Sequence, residues 1–249
     1  MSLLGRWTTR FVPGPLNGNG ANIRVPAKRI DGTIVRPGAQ FEFIHAIVPV
    51  RSPPFAMGGY LRNGQLQTDP GILGGGMCSA STTLFNAALR AGLRITERHA
   101  HAIYIGRYPV GLDATVFSNG RSDGQNVKFV NDTGHPVLIR AFSTKRKVTF
   151  EIYGVDDGRR VRLSDPVISN LQEAPDYLEY TDDLPPGVQK RKQDRYDKFG
   201  SSVERIVRDA NGNVISQNTF RSSYRMLAGI ILVGRSHGDP PAGTRVLKN

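Results

Sequence analysis

Turn-forming residues divide this chain into short segments, and that limits what it can fold into. Its 249 residues include 28 glycines and 16 prolines, which interrupt regular elements and favour tight turns. A hydrophobic content of 39% and a charged content of 22% are typical of a folded chain. We therefore predict an α+β chain: an antiparallel β-rich domain with one cysteine-bearing helix, followed by a smaller, mostly-β C-terminal module.

A change of composition after Gly154 predicts the domain boundaries. Positions 155–187 are rich in Asp, Pro and Gly, which is typical of a linker. We expect a first domain over 1–154, a linker-like segment over 155–187 and a small β accessory module over 188–249. In that module the alternating segments 202–208 and 214–217 predict a hairpin, and the polar residues 234–249 predict a loose tail.

The clearest helical pattern begins at the only cysteine, Cys78. Three glycines, 74–76, come just before it, and apolar residues follow at helical spacing over 84–89. The first turn of a helix lowers the pKa of a thiol, because its unpaired N–H groups stabilise the thiolate. We therefore predict that Cys78 is a nucleophile and that Gly75, Gly76 and Ser79 lie against the substrate and a developing oxyanion. The alternative is that Cys78 is a small buried hydrophobic residue.

Two histidines and an aspartate downstream supply the remaining residue types of a cysteine catalytic site. His99 and His101 are two positions apart, so on a strand both would face the helix that carries Cys78. We expect His101, with His99 as the second choice, to act as the base and Asp113 to orient it. The alternatives are surface histidines, a zinc site on the His-x-His pair and an ordinary turn aspartate. Because no third zinc ligand has matching spacing, we predict neither a metal nor another cofactor.

Charge narrows the range of partners. A net charge of +12 and a sequence pI near 10.2 predict attraction to polyanions, including nucleic acid, anionic lipid and acidic bacterial wall polymers. The chain contains a dense basic stretch at 190–192. No nucleic-acid-binding motif accompanies it, so we expect no nucleic-acid partner. Arg98 and Arg107 are candidates to hold a substrate carboxylate, or else are solvated surface charges. The chain as given shows no signal peptide and no membrane-length apolar run.

Several of these motifs together resemble the VanW family, named for an accessory protein of vancomycin-resistance gene clusters. The resemblance covers roughly positions 10–154 and is carried by segments 35–41, 74–87, 97–101, 108–116 and 128–133. Two positions depart from the family pattern, since Ser79 stands where glutamine is usual and Ala102 where serine is frequent. If that glutamine helps to form an oxyanion site, Ser79 weakens the case for activity.

The resemblance implies an exported protein that faces the cell wall. Some members of the family are linked to peptidoglycan L,D-transpeptidation through the motif cysteine. The expected function is therefore a wall-associated cysteine acyl-transfer enzyme, similar to an L,D-transpeptidase, that acts on peptidoglycan stem peptides. Its expected partner is peptidoglycan or another anionic wall polymer, and its expected location is extracellular or at the cell surface. The alternative is a non-catalytic peptidoglycan-binding or glycopeptide-resistance accessory module.

Overall fold

The computed structural model of the chain describes residues 1–62, 65–117 and 124–248. Most of its regular elements are strands, paired mainly antiparallel, so the prediction of a β-rich antiparallel chain is confirmed. The strands are β1 (Ser2–Arg10), β2 (Thr33–Val35), β3 (Gln40–Glu42), β4 (Met57–Arg62), β5 (Gln65–Leu73), β6 (Arg94–Glu97), β7 (Lys128–Val130), β8 (Val137–Ser143), β9 (Lys147–Gly154), β10 (Arg160–Leu163), β11 (Val167–Gln172), β12 (Asp176–Thr181), β13 (Gln189–Gln193), β14 (Lys198–Arg208), β15 (Val214–Tyr224), β16 (Gly229–Gly234) and β17 (Arg245–Leu247). The helices are α1 (Ala21–Ile30), α2 (Phe43–Ile47) and α3 (Cys78–Arg90), with a 3-10 segment over Pro15–Gly20.

The chain divides into two compact units. Unit 1 consists of Met1–His101, Ile105–Val167 and Ser202–Ser222, and unit 2 consists of Ala102–Tyr104, Ile168–Ser201 and Ser223–Asn249. This division differs from the predicted one, because residues 202–222 belong to unit 1 and not to a separate C-terminal module. The predicted hairpin there is present as β14 and β15.

The segment predicted as a linker, 155–187, contains strands β10, β11 and β12. Its turns are acidic and proline-rich, but the residues between them pair with strands far along the chain. β10 pairs with β14, and β12 pairs in parallel with β16. The predicted loose tail likewise contains β17, which pairs with β12. Composition cannot reveal such long-range partners, which is why these strands were not expected.

Unit 1 is built around α3. All its side chains from Ser79 to Leu89 are buried, and the helix packs against β1, β9 and α1. The adjoining sheet has the order β1–β9–β8–β2, and β8 and β9 form an antiparallel hairpin. A helix that is buried on every side is held by the surrounding core, so its first turn, with Cys78, has a fixed position within unit 1.

One stretch of unit 1 has a different element from the expected one. The apolar residues 41–47 have strand propensity, yet β3 ends at Glu42 and α2 covers Phe43–Ile47. Phe43 and Ile47 are both buried and four residues apart, which is the helical spacing. The Asn126 side chain also accepts the Ile44 N–H at 3.0 Å. Tertiary packing therefore overrides local propensity at this position.

Unit 2 is a smaller sheet in which β16 lies between β12 and β13. The apolar segment 226–233 has the composition of a buried strand, and it supplies most of β16. Three aromatic rings, those of Tyr104, Phe199 and Tyr224, pack together with centroids 4.8–5.5 Å apart. The longest described helix in either unit is α3 with 13 residues, and no described helix has both the length and the apolarity to cross a bilayer.

Close packing of β1 on α3 gives a test of this core. A Cβ at Gly5 would lie 2.4 Å from the Ala87 carbonyl oxygen and 2.5 Å from the Ala91 nitrogen. We therefore expect Gly5→Ala to lower the free energy of unfolding by about 1–3 kcal/mol, because backbone must move apart. The control is Gly134→Ala, at an exposed glycine with nothing within 4 Å of the added Cβ, which should change stability by less than about 0.5 kcal/mol. Thermal unfolding of the full chain measures both, and equal stabilities would contradict the packing.

Candidate active site

The glycine run before α3 brings the cysteine into its place. Gly76 has a φ of +82°, and a Cβ there would lie 2.3 Å from the Leu16 carbonyl oxygen. A Cβ at Gly75 would lie 2.4 Å from the Gly58 carbonyl carbon. Only glycine fits these positions, so the run turns tightly against neighbouring backbone and α3 begins at Cys78. Within the described residues, the backbone N–H groups of Cys78 and Ser79 donate no hydrogen bond, and they are the available donors at this helix end.

The Cys78 thiol is half-buried. Its Sγ lies 3.4 Å from the Thr115 hydroxyl oxygen and 3.7 Å from the Val116 carbonyl oxygen. Burial raises the pKa of this thiol, but hydrogen bonding and charge interaction with His101, helped by Thr115, outweigh burial and lower the pKa to about 7. The thiolate is the nucleophilic form of cysteine, and a pKa of about 7 makes this form available at neutral pH.

His101 links the thiol to a carboxylate. Its Nδ1 lies 2.6 Å from Asp113 Oδ2, and its backbone N–H donates to the same oxygen at 2.7 Å. The Nε2 atom is buried and has no standard hydrogen-bond partner among the described residues. Because Asp113 occupies Nδ1, Nε2 is the nitrogen left to exchange a proton with the Cys78 sulfur.

The imidazole favours its charged form. Burial lowers the pKa of His101, but Asp113 and Cys78 together raise it to about 9. Since the pKa of the Cys78 thiol is about 7, a thiolate and an imidazolium coexist between these two values. Both charged forms are therefore available at neutral to mildly alkaline pH.

Asp113 is held by a buried arginine as well as by His101. Arg98 Nη2 donates to Asp113 Oδ1 at 2.9 Å, and both side chains are almost fully buried. The same guanidinium donates to the Gly111 carbonyl at 3.0 Å, the Ser222 hydroxyl at 3.0 Å and the Arg221 carbonyl at 3.1 Å. Arg98 was a candidate for binding substrate carboxylate, but its guanidinium is directed to these protein acceptors, so we assign it a positioning contact with Asp113.

The polar residues of α3 determine where Asp113 lies. Ser81 and Thr82 donate to the Ala114 carbonyl at 2.7 and 3.1 Å, and the Ala114 N–H donates back to the Thr82 hydroxyl at 2.9 Å. One turn further on, Asn86 donates to the Leu112 carbonyl at 2.7 Å. These bonds attach segment 112–114 along the helix that begins at Cys78. The cysteine and the aspartate therefore reach one site through the same helix.

Tyr108 is a site residue that the sequence analysis did not single out. Its ring stacks on the His101 imidazole with centroids 5.3 Å apart and an interplanar angle of 25°. Its buried hydroxyl lies 2.9 Å from the Ser79 hydroxyl, so the Ser79 side chain is directed to Tyr108 and only its backbone N–H is left for a ligand. The position of Tyr108 in the segment 108–116, together with Asp113, was a signal that could have identified it.

The other predicted site residues lie outside this cluster. His99 is partly exposed, and its Nε2 lies 3.0 Å from Glu97 Oε1. The expected strand does not continue to His101, because β6 ends at Glu97 and only an isolated bridge joins His99 to Thr115. The alternation that would have placed both histidines on one face is therefore lost. Arg107 is exposed and lies over the Tyr108 ring at 5.2 Å from its centroid.

The candidate zinc site has no further ligands in the described ranges. Within residues 1–62, 65–117 and 124–248, no group of three or more His, Cys, Asp or Glu side chains forms a metal-binding cluster. His99 and His101 have separate carboxylate partners, Glu97 and Asp113. The sequence of 114–118 predicts a strand. Its described residues, 114–117, form isolated bridges at Thr115 and Phe117 instead, and residue 118 lies outside the described residues.

The chain is similar to known proteins over more than half of its length. It is 32% identical over 154 residues to the uncharacterized protein YoaR of Bacillus subtilis (strain 168), covering 61% of this chain and 48% of YoaR. It is 27% identical over 166 residues to the vancomycin B-type resistance protein VanW of Enterococcus faecalis (strain ATCC 700802 / V583), covering 64% of this chain and 58% of that protein. The chain thus spans about half the length of these curated relatives.

Two solved structures of G5 domains are weakly similar to part of the chain. The G5 domain of IgA1 protease matches 31% of this chain and 92% of that domain, at 14% identity and a TM-score of 0.20. The G5 domain of HP0197 matches 30% of this chain and 97% of that domain, at 19% identity and a TM-score of 0.15. Scores this low support no conclusion about the fold.

A family model decides the classification. The model described as VanW like protein matches residues 18–153, which is more than half of the chain and includes Cys78, His101 and Asp113. The resemblance drawn from the sequence motifs is therefore confirmed, and the chain belongs to the VanW-like protein family.

Proposed function

We propose that this chain is a cell-wall-associated cysteine acyl-transfer enzyme, similar to an L,D-transpeptidase, that acts on peptidoglycan stem peptides. The observation that carries the proposal is the coupling of the Cys78 thiol to His101, whose Nδ1 lies 2.6 Å from the buried Asp113 carboxylate. Nucleophile, base and orienting acid are the three roles that acyl transfer by cysteine requires.

In the first step the Cys78 thiolate attacks a stem-peptide carbonyl at the L-centre before the terminal D-alanine. A C–S bond forms and the carbonyl oxygen becomes an oxyanion. The backbone N–H groups of Cys78 and Ser79, which donate to no acceptor among the described residues, are the candidate donors to it. The C–N bond to D-alanine then breaks, and His101 gives its Nε2 proton to the departing amine. The products are a thioester on Cys78 and free D-alanine.

In the second step an amine from a neighbouring stem attacks the thioester. Neutral His101 removes a proton from that amine, the C–S bond breaks and a new amide forms. Asp113 accepts the hydrogen bond from the Nδ1–H of His101 throughout, which keeps Nε2 directed to the reacting atoms. If water attacks instead of an amine, the same residues carry out hydrolysis.

The family supports a location at the cell wall. The relative from Enterococcus faecalis is named for vancomycin resistance, and vancomycin resistance is a cell-wall trait. The net charge of +12 favours an anionic wall polymer as partner. We propose an extracellular or cell-surface location on these grounds.

A carbapenem tests the nucleophile and the base together. Because its strained ring acylates a catalytic thiolate, we expect a stoichiometric mass adduct on the wild type and none on Cys78→Ala. His101→Gln should slow acylation by about 10²-fold or more, whereas His99→Gln, the matched control, should change it little. Intact-mass spectrometry over time measures the rates. An adduct that persists in Cys78→Ala, or equal effects of the two histidine variants, would contradict the proposal.

The pH dependence of alkylation tests the thiol directly. The pKa of Cys78 is lowered to about 7, so the thiolate forms at lower pH than in an ordinary cysteine with a pKa of about 8.5. We expect the rate of iodoacetamide labelling to reach half its maximum near pH 7. Since Cys78 is the only cysteine, all labelling reports on it, and a midpoint above pH 8 would contradict an activated thiol.

Removing the Asp113 carboxylate should reverse this activation. Asp113→Asn removes the negative charge that raises the pKa of His101, so the imidazolium is destabilised and the thiol loses its charged partner. We expect the labelling midpoint to rise by about one pH unit or more. The matched control is Glu97→Gln, which removes the carboxylate partner of His99 and should leave the midpoint unchanged. A shift of the midpoint in both variants, or in neither, would contradict a specific coupling of Asp113 to the thiol.

A further inference from the structure

The turn between β8 and β9 concentrates positive charge at one end of the unit 1 sheet. Lys145 and Arg146 lie in this turn, Lys147 is the first residue of β9, and all three side chains are exposed. Arg10, also exposed, lies directly opposite Lys147 in the antiparallel pairing of β1 with β9. The Phe11 N–H donates to the Arg146 carbonyl at 3.0 Å, which fixes the end of β1 against the turn. We call these four side chains, Arg10, Lys145, Arg146 and Lys147, the cationic turn.

The cationic turn has no acidic partners. No ion pair joins any of its four members to a carboxylate in the part of the chain that the structure describes. Elsewhere on the same sheet cations are paired, since Arg6 lies 3.3 Å from Glu151 and Arg140 lies 2.9 Å from Asp31. Like charges directly opposite each other on a sheet are destabilising. The placement of Arg10 opposite Lys147 therefore destabilises the folded state, and no contact among the described residues compensates for it.

The basic stretch that the sequence analysis recognised behaves differently. Of residues 190–192 on β13, Arg191 lies 2.7 Å from Asp176 and Lys192 lies 2.6 Å from Glu179. Both carboxylates are on the neighbouring strand β12 of the same sheet. Residues 145–147 and 190–192 have the same composition, Lys-Arg-Lys. Two of the three cations at 190–192 are paired, whereas no ion pair among the described residues involves the cationic turn.

The overall distribution of charge follows the same division. Unit 1 contains 24 of the 33 Lys and Arg residues and 13 of the 21 Asp and Glu residues, so it carries nearly all of the net charge of +12. An anionic partner is therefore attracted to the unit that holds Cys78, rather than to unit 2.

We propose that the cationic turn is a docking surface for a linear polyanion with repeated phosphodiester groups. Such a polymer meets several cations at once, and guanidinium groups match phosphate oxygens by paired hydrogen bonds. A lipid surface is less well matched, because interfacial binding needs a face of large apolar side chains beside the cations, and all four members of the cationic turn are charged. Phe142, the aromatic residue beside the turn, is 47% exposed, and the Arg140 guanidinium lies over its ring at 5.5 Å from the centroid. The choice of this partner rests on the proposed wall location, but it does not depend on the proposed thiol chemistry.

Matched triple variants test this proposal. The probe is purified poly(glycerol phosphate), with binding to the full chain measured by titration at several salt concentrations. Changing Lys145, Arg146 and Lys147 to Gln should weaken binding by about tenfold or more and flatten its salt dependence, because fewer counterions are released. Changing Lys190, Arg191 and Lys192 to Gln removes the same net charge and should weaken binding by less than about threefold, because two of those cations are already paired. Arg10→Gln removes one member of the cationic turn and leaves Lys145, Arg146 and Lys147 in place, which makes it a single-site check.

The outcomes separate this proposal from the proposed catalysis. Cys78→Ala should bind the polymer as the wild type does, since the cationic turn contains no catalytic residue. Equal losses in the two triple variants would show a non-specific effect of net charge and overturn the proposal. Absence of binding by the wild type, or binding to phosphatidylglycerol vesicles but not to the polymer, would also overturn it. Melting temperatures of the variants confirm that each is folded.

Discussion

The buried carboxylate of Asp113 is the constraint on which the whole site depends. Its side chain is 1% exposed, and a buried charge without partners would be too costly to retain. Two donors from His101 and one from Arg98 satisfy it. With the carboxylate held as an anion, the imidazolium of His101 is stabilised, and the imidazolium in turn stabilises the thiolate of Cys78. The charge of the thiolate therefore depends on the imidazolium, and the charge of the imidazolium depends on the carboxylate.

The charged groups of the site come from parts of the chain that are far apart in sequence. Cys78 comes from the glycine run and α3, and Asp113 from a loop attached to the same helix. Arg98 is bonded to the Arg221 carbonyl and the Ser222 hydroxyl on β15, which lie beyond the family match at 18–153. In this chain, therefore, residues outside the shared family region help to hold the acid in place.

The sequence was sufficient to predict the local part of this account. The glycines, the helix spacing after Cys78 and the types of His101 and Asp113 were readable, because each depends on nearby residues. The preference for His101 over His99 had no local pattern behind it, since the choice depends on where β6 ends and on which carboxylate each imidazole meets. The roles of Arg98 and Tyr108 were missed for a similar reason, because burial and ring stacking are tertiary. The strands within 155–187 were missed because their partners lie beyond position 200.

The charge state of the His101 imidazole tests the central claim most directly. NMR titration of histidine-labelled protein, with His101→Gln used to assign its signal, measures its pKa in the wild type and in Cys78→Ala. We predict that the pKa of His101 is raised to about 9 in the wild type and is lower in Cys78→Ala, where the thiolate partner is removed. A wild-type pKa near the ordinary value of about 6.5, unchanged by the loss of Cys78, would contradict a thiolate–imidazolium pair in this site.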